Sequence, residues 1–280
     1  MSEAVLGHLF DRDGDRFVPT RLARGYWQKG TLSGMAAASL LGRAITGRAI
    51  EPGWVPVRLS VDMLRMPPDA PLTVAVELLH DSRRLRLVEA RVLDGDTVVT
   101  RALCQIVRTG TQPEAPVWQS PPWPAPHPDS LPAGIQWARW DLRAVPGDDP
   151  RFVRHAPAGV APGSGNPPVL GPLAPVDARQ AWIGPRIAIV ADEPVSAWEA
   201  LVLTADFASP LTHSSEHGID FVNTDFTVHV HRMPEGGWIG YELIGHSSTA
   251  GVAVGHAAIH DVTGPLGSVV VSAIANSRRA

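Results

Sequence analysis

The chain has 280 residues, 44% of them hydrophobic, and a formal net charge of −4, which allows one large domain or two of ordinary size, each with its own core. Its basic residues are nearly all Arg and form no broad cationic field, which argues against nucleic-acid binding. No segment reaches membrane-spanning length, the amino terminus lacks a signal-peptide pattern, and the single Cys104 excludes an intramolecular disulfide, so a soluble cytoplasmic protein is expected.

In chain order, the first long element predicted is a helix over TLSGMAAASLLGRAITG. There Leu32, Met35, Ala36, Ser39, Leu40 and Arg43 follow helical spacing, and small residues on one side suit close burial. After Pro52-Gly53, four strands alternate with turns: VPVRLSVDMLRM, PLTVAVELLHDS, RLRLVEARVLDG and DTVVTRALCQIVR. Asp94-Gly95 predicts a type I′ hairpin turn, because both residues tolerate positive φ. Cys104, inside the fourth strand, is expected to be a buried small hydrophobe. From Thr109 to Pro132 the chain is crowded with proline, with Trp118 and Trp123 among them, and reads as an extended surface linker.

Two further candidate strands, GIQWARWDLRAV and RQAWIGPRIAIV, flank a Pro/Gly-rich loop at 155–177. A second helix, PVSAWEALVLTADF, follows, with Pro194 placed for a helix start. The strands DFTVHVHRM, GWIGYELIGHSS, GVAVGHAAIHD and GSVVVSAIANS complete the chain.

The two halves echo each other. Arg65-Met66-Pro67 matches Arg232-Met233-Pro234, His80 matches His246 after a similar interval, and the Asp94 turn matches the Asp261 turn. Ordered matches so far apart indicate duplication of one helix-plus-sheet unit. The division expected is a first unit at 1–110, a linker at 111–134 and a second unit at 135–280. Such an α+β pair can join edge to edge into one continuous sheet around two central helices, which removes two exposed edges.

Seven of the eleven His lie between His213 and His260, but no ligand spacing accompanies them and no metal is expected. On the DFTVHVHRM strand, Asp225, Thr227, His229 and His231 should share one face and Phe226, Val228 and Val230 the other. His213 and His217 fall in a predicted loop near Asp206, while Arg83, Arg84 and Arg86 at a strand turn offer planar donors to phosphate. The chain contains no G-x-S-x-G elbow, Walker A loop or post-strand G-x-G-x-x-G, so no nucleotide cofactor is expected.

With W-x-x-G-T-L-S-G-M-A-A-A around Trp27, A-D-F-A-S-P from Ala205 and T-D-F-T-V-H-V-H-R-M-P-E-G-G-W from Thr224, the chain resembles the acyl-CoA thioesterase II (TesB-like) family of double hot-dog proteins. The resemblance implies hydrolysis of an acyl-CoA or related acyl thioester by a water held by Asp, Thr or Ser, and Gln, in an oligomeric protein needing no cofactor. It places the Asp on Asp206 and the hydroxyl position on Asn223, with Thr224 one residue displaced. The Gln position falls on Ala275, with Asn276 the nearest amide. An apolar approach to Asp206 would bring its pKa toward the range of a general base. The segment Gly30, Thr31, Leu32 and Gly34 offers backbone N–H groups for substrate and oxyanion at a helix start. The acyl chain would then lie between a central helix and the sheet. The alternatives are a non-catalytic acyl-thioester-binding or structural member that has lost the Gln, and a hydratase in which His213 or His217 reaches Asp206.

Overall fold

Ser33 starts the first helix, α1 (Gly34–Ala49), by accepting the N–H of Ala36 on its side chain, as an N-cap serine does. The computed structural model describes residues 6–132, 135–136, 139–146, 179–215 and 218–276; the loop expected at 155–177 and His217 lie outside them. The small residues of α1 bring it close to its neighbours: a Cβ added at Gly42 would lie 3.0 Å from the side chain of Val202 on the next helix. Met35, Ala36, Ala38, Leu40, Leu41 and Ile45 are all buried in one core with the sheet.

The first half contributes β1 (His8–Asp13), β2 (Arg16–Pro19), β3 (Trp54–Met63), β4 (Leu72–Asp81), β5 (Leu85–Asp94) and β6 (Thr97–Arg108). The second contributes β7 (Ile135–Gln136), β8 (Trp140–Ala144), β9 (Gln180–Pro185), β10 (Ala188–Val190), β11 (Ser214–Ser215), β12 (Gly218–Ile219), β13 (Phe221–Asn223), β14 (Asp225–Val230), β15 (Ile239–Thr249), β16 (Val252–Asp261) and β17 (Gly264–Ala275).

The sheet order contains β4-β5-β6-β3-β14-β17-β16-β15 at its centre. Each half thus places its four long strands in the order second, third, fourth, first, and the two first strands meet antiparallel, Val61 facing Phe226 and Leu59 facing Val228. This is the continuous sheet of a double hot-dog fold, with α1 against β4, β5 and β6 and a shorter helix against β15, β16 and β17. Phe226, Val228 and Val230 are buried and His229 and His231 exposed, as strand alternation requires.

The second helix differs from the expected run. It begins at Ala197, beyond Pro194, because Ser196 and Glu199 form a reciprocal capping box that satisfies two N–H groups at once. It then breaks into α2 (Ala197–Ala205) and α3 (Ala208–His213). Pro210 accounts for the break: it has no N–H to give the carbonyl of Asp206 four residues back, and its ring crowds that carbonyl. His213 consequently ends a helix and is not in a loop. The β5–β6 hairpin also departs from the type I′ expectation: Asp94 pairs with Thr97, and of the central pair Gly95-Asp96 only Gly95 has positive φ, at 56°.

The linker is tied down by its own Trp123 and by Trp182 of β9. Trp123 Nε1 donates to Gln180 Oε1 at 3.2 Å, Trp182 Nε1 donates to the Pro126 carbonyl at 3.0 Å, and Trp123 stacks on His260; Trp118 is exposed. Cys104 is fully buried, and burial pushes its thiol far above the ordinary range. No helix among the described residues is long and apolar enough to cross a membrane.

Candidate active site

The break between α2 and α3 leaves Asp206 at the C-cap of α2, beside the start of α1. Its Oδ1 accepts Nδ2 of Asn223 at 2.7 Å, and the backbone N–H of Met35, in the first turn of α1, favours the charged form of the same carboxylate. A Cβ at Gly34 would stand 3.7 Å from Asp206 Oδ2 and 2.8 Å from Sδ and Cε of Met63, so a side chain there would have to displace the flexible end of Met63. Met63 in turn receives Asn223 Nδ2 on its Sδ at 3.3 Å. Four distant segments therefore converge on one carboxylate.

Burial is the largest influence on Asp206 and raises its pKa above the ordinary value, while Asn223, the Met35 N–H and the positive charge of Arg139 act against it. The result is a carboxylate that holds a proton more readily than usual and still has three groups supporting its charge. Beneath it, Tyr241 is fully buried and its hydroxyl shares a 2.9 Å hydrogen bond with Thr204 Oγ1. Burial, with Asp206 nearby, pushes this phenol upward.

The other residues singled out in the sequence fall as follows. Thr224 is exposed and its hydroxyl donates to the Ser272 carbonyl, so it does not contact Asp206. Gly30 has φ of 80° and its carbonyl accepts the N–H of Asp69, a turn role. Thr31 Oγ1 donates to the Gln28 carbonyl. The N–H groups of Leu32 and Ser33 are taken by the carbonyls of Pro67 and Ala23, which leaves Gly34 and Met35 as the backbone donors at this helix start. Asn223 lies opposite Ala273 on β17, whereas Ala275 pairs with Phe221. Asn276 follows the strand end and its N–H bonds to the Asp220 carbonyl. The alanine facing Asn223 is thus Ala273, because β13 pairs with the final three residues of β17.

His213 does not reach Asp206. Its Nδ1 lies 3.0 Å from Nδ1 of His246, and burial, with His246 next in effect, draws its pKa down to about 4. Arg86 is likewise committed, to Asp81, Glu51 and the Ala49 carbonyl, with its guanidinium 4.1 Å from the Trp54 ring, so it closes the end of α1 and is not poised for phosphate. Among the described residues no cluster suits a metal ion. Two open surface cavities, of about 200 and 350 Å³, lie by Trp123 and beside His229, and Asp206 lines neither.

Sequence reasoning missed Arg139, Met63 and Tyr26. Arg139 Nη2 donates to the Arg24 carbonyl at 2.5 Å, its guanidinium sits 5.3 Å from the Tyr26 ring, and its charge acts on Asp206. No local pattern marks these residues, since each reaches the site from a different part of the chain.

A double hot-dog fold with a polar cluster at the start of its first helix defines the class. Residues 23–107 match the profile of the acyl-CoA thioesterase N-terminal domain and residues 119–274 that of the acyl-CoA thioesterase C-terminal domain; the chain belongs to the acyl-CoA thioesterase family, whose general reaction is hydrolysis of acyl-CoA thioesters. Among solved structures, a protein designated a thioesterase from Novosphingobium aromaticivorans is 19% identical, with a TM-score of 0.68 over 96% of this chain and 99% of that one. An acyl-CoA thioesterase II from Mycobacterium marinum is 20% identical, with a TM-score of 0.62 over 94% of each chain. A TesB protein from Mycobacterium avium subspecies paratuberculosis is 18% identical, with a TM-score of 0.62 over 97% and 96%. No curated protein matches the chain.

Proposed function

We propose that this chain hydrolyses an acyl-CoA thioester, with Asp206 as the base that activates water and Asn223 as the amide that orients the carboxylate. The observation that carries the reading is the buried Asp206–Asn223 contact of 2.7 Å set against the first turn of α1. Water attacks the carbonyl carbon as its proton passes to Asp206, and the carbonyl π pair moves onto oxygen. Collapse of the tetrahedral intermediate breaks the C–S bond, and the thiolate takes the proton back from Asp206. A carboxylate whose pKa has been raised by burial is a stronger base for the first step than an ordinary one.

An apolar approach supports an acyl substrate. Tyr26, Trp27, Leu64 and Met66 are exposed in two loops that are joined beside Gly34 by the Leu32 N–H to Pro67 carbonyl bond and by the Thr31–Pro68 bridge. This reading brings the acyl group in along these loops. Self-association and a cytoplasmic setting belong to the same proposal. Val252 and Ile274 pair across β16 and β17 with both side chains exposed, a face that a second copy would cover.

The test is thiol release from a panel of acyl-CoAs by wild type and Asp206→Asn. Turnover reduced on the order of 10²–10⁴-fold in the variant is expected for loss of a general base. An unchanged rate, or no turnover at any chain length, would remove the assigned role. The second reading, an acyl-thioester-binding protein without turnover, draws on Ala273 standing where a polar neighbour of Asn223 would be, and predicts binding of a non-hydrolysable acyl-CoA analogue without hydrolysis.

A further inference from the structure

Thioester attack places a negative charge on the former carbonyl oxygen, and donors fixed in advance around that oxygen supply much of the rate. The start of α1 is the expected source, yet the Leu32 and Ser33 N–H groups are consumed by Pro67 and Ala23 and the Met35 N–H supports the charge of Asp206. Gly34 is the remaining backbone donor there, and the site needs another.

We propose that Arg139 is that donor: it pairs with the oxyanion formed on the thioester carbonyl, opposite the carboxylate that activates water. The proposal rests on the hydrolytic reading of Asp206. Three observations place Arg139 in this role. Its guanidinium is held from two sides, by the 2.5 Å bond of Nη2 to the Arg24 carbonyl and by the Tyr26 ring, which fixes the plane of the donor fork. Trp140, the next residue, packs edge-on against Phe207 with ring centroids 5.9 Å apart, tying Arg139 to the corner that carries Asp206. The charges of Arg139 and Asp206 act on each other without an ion pair between them, so its remaining N–H groups are not spent on that carboxylate. Their partners among the described residues are limited to the Arg24 carbonyl. An arginine offers five N–H groups in a rigid array, and one fixed bond leaves several for an anionic oxygen.

Removing a buried guanidinium can also disturb folding, so two variants are needed. Arg139→Met deletes the charge and Arg139→Lys keeps it on a different geometry; both are checked for an unchanged far-UV spectrum and melting point. With octanoyl-CoA, the Met variant is expected to lose about 10²-fold in kcat, the scale for one oxyanion donor, with KM little altered and partial recovery in the Lys variant. Octanoate, whose carboxylate resembles the oxyanion in charge, is titrated separately by NMR and should bind the Met variant about tenfold more weakly, the scale of one charge-assisted hydrogen bond. If Asp206→Asn abolishes turnover while Arg139→Met keeps its kcat, the oxyanion role is overturned and the hydrolytic reading stands. If wild type shows no turnover but octanoate binding depends on Arg139, hydrolysis is overturned and Arg139 remains an anion-binding group. Octanoate binding equal in wild type and Arg139→Met would remove that role too.

Discussion

The Arg232–Asp261 pair tests whether a buried, saturated carboxylate stabilises this fold in the way its surroundings require. The Asp261 side chain is fully buried, and Arg232 grips it with both terminal nitrogens, at 2.5 and 2.8 Å. The N–H groups of Glu235, Thr263 and Gly264 and the Thr263 hydroxyl complete its shell. These bonds outweigh burial and hold the carboxyl at about 2, against 3.8 for a free aspartate. A difference of this size, at 1.36 kcal/mol per pH unit, corresponds to about 2 kcal/mol of stability at neutral pH. The depressed group favours folding fully above its unfolded value, and its contribution disappears as pH falls through about 2. Between those limits, at pH 3, roughly 1 kcal/mol remains by the same linkage relation. Asp261→Asn should therefore cost about 2 kcal/mol or more in urea unfolding at pH 6, and the gap between the two proteins should narrow by about half at pH 3. A gap of equal size at both pH values would refute the argument, because the loss would then come from geometry alone.

Gly255→Ala should destabilise by about 1–3 kcal/mol, since a Cβ there would fall 2.1 Å from Thr212 Oγ1. The companion Gly255→Ala/Thr212→Ala protein should recover part of that loss in the same unfolding assay. Asp206→Asn should stabilise the fold at neutral pH: burial raises the carboxyl pKa, so the ionised form opposes folding and the gain should vanish as pH falls below the ordinary carboxylate range. Melting curves at pH 7 and pH 4 would show it, and a less stable variant at pH 7 would contradict the assigned balance. His213 carries the opposite dependence on acid: with its pKa drawn down to about 4 from 6.5, the folded state should weaken as pH falls from 6.5 toward 4. His213→Phe should flatten that slope in a pH series of melting points.

What could be read in advance follows from the range of the interactions. The Arg65-Met66-Pro67 and Arg232-Met233-Pro234 echo was visible because each copy follows the first strand of its unit, and strand alternation around Val228 needs only neighbouring residues. The two copies nonetheless diverged in energy: Arg232 is locked onto Asp261, whereas the matching Asp94 is exposed and the N–H of Arg65 bonds to Val99. Similarity of sequence preserved the path of the chain and not the ion pair. The site was legible only where one segment carries its own cause. A-D-F-A-S-P contains both the carboxylate and Pro210, which ends the helical run and leaves that carboxylate at the end of α2. Asn223 was indicated by the family resemblance alone, since the strand read from the sequence begins at Asp225 and the short strand Phe221–Asn223 that carries it was not foreseen. The Met63, Arg139 and Tyr26 contributions depend on how β3, the start of β8 and the loop before α1 meet in space, which no local periodicity encodes. Met63 in particular sits under both Gly34 and Asn223, so the glycine that looked like a backbone donor also admits the side chain that seats the amide. A methyl at Gly34 would push Met63 away from Asn223 before it touched any substrate. Glycine at this position therefore acts on the site through the placement of Met63, and through Met63 on the amide of Asn223.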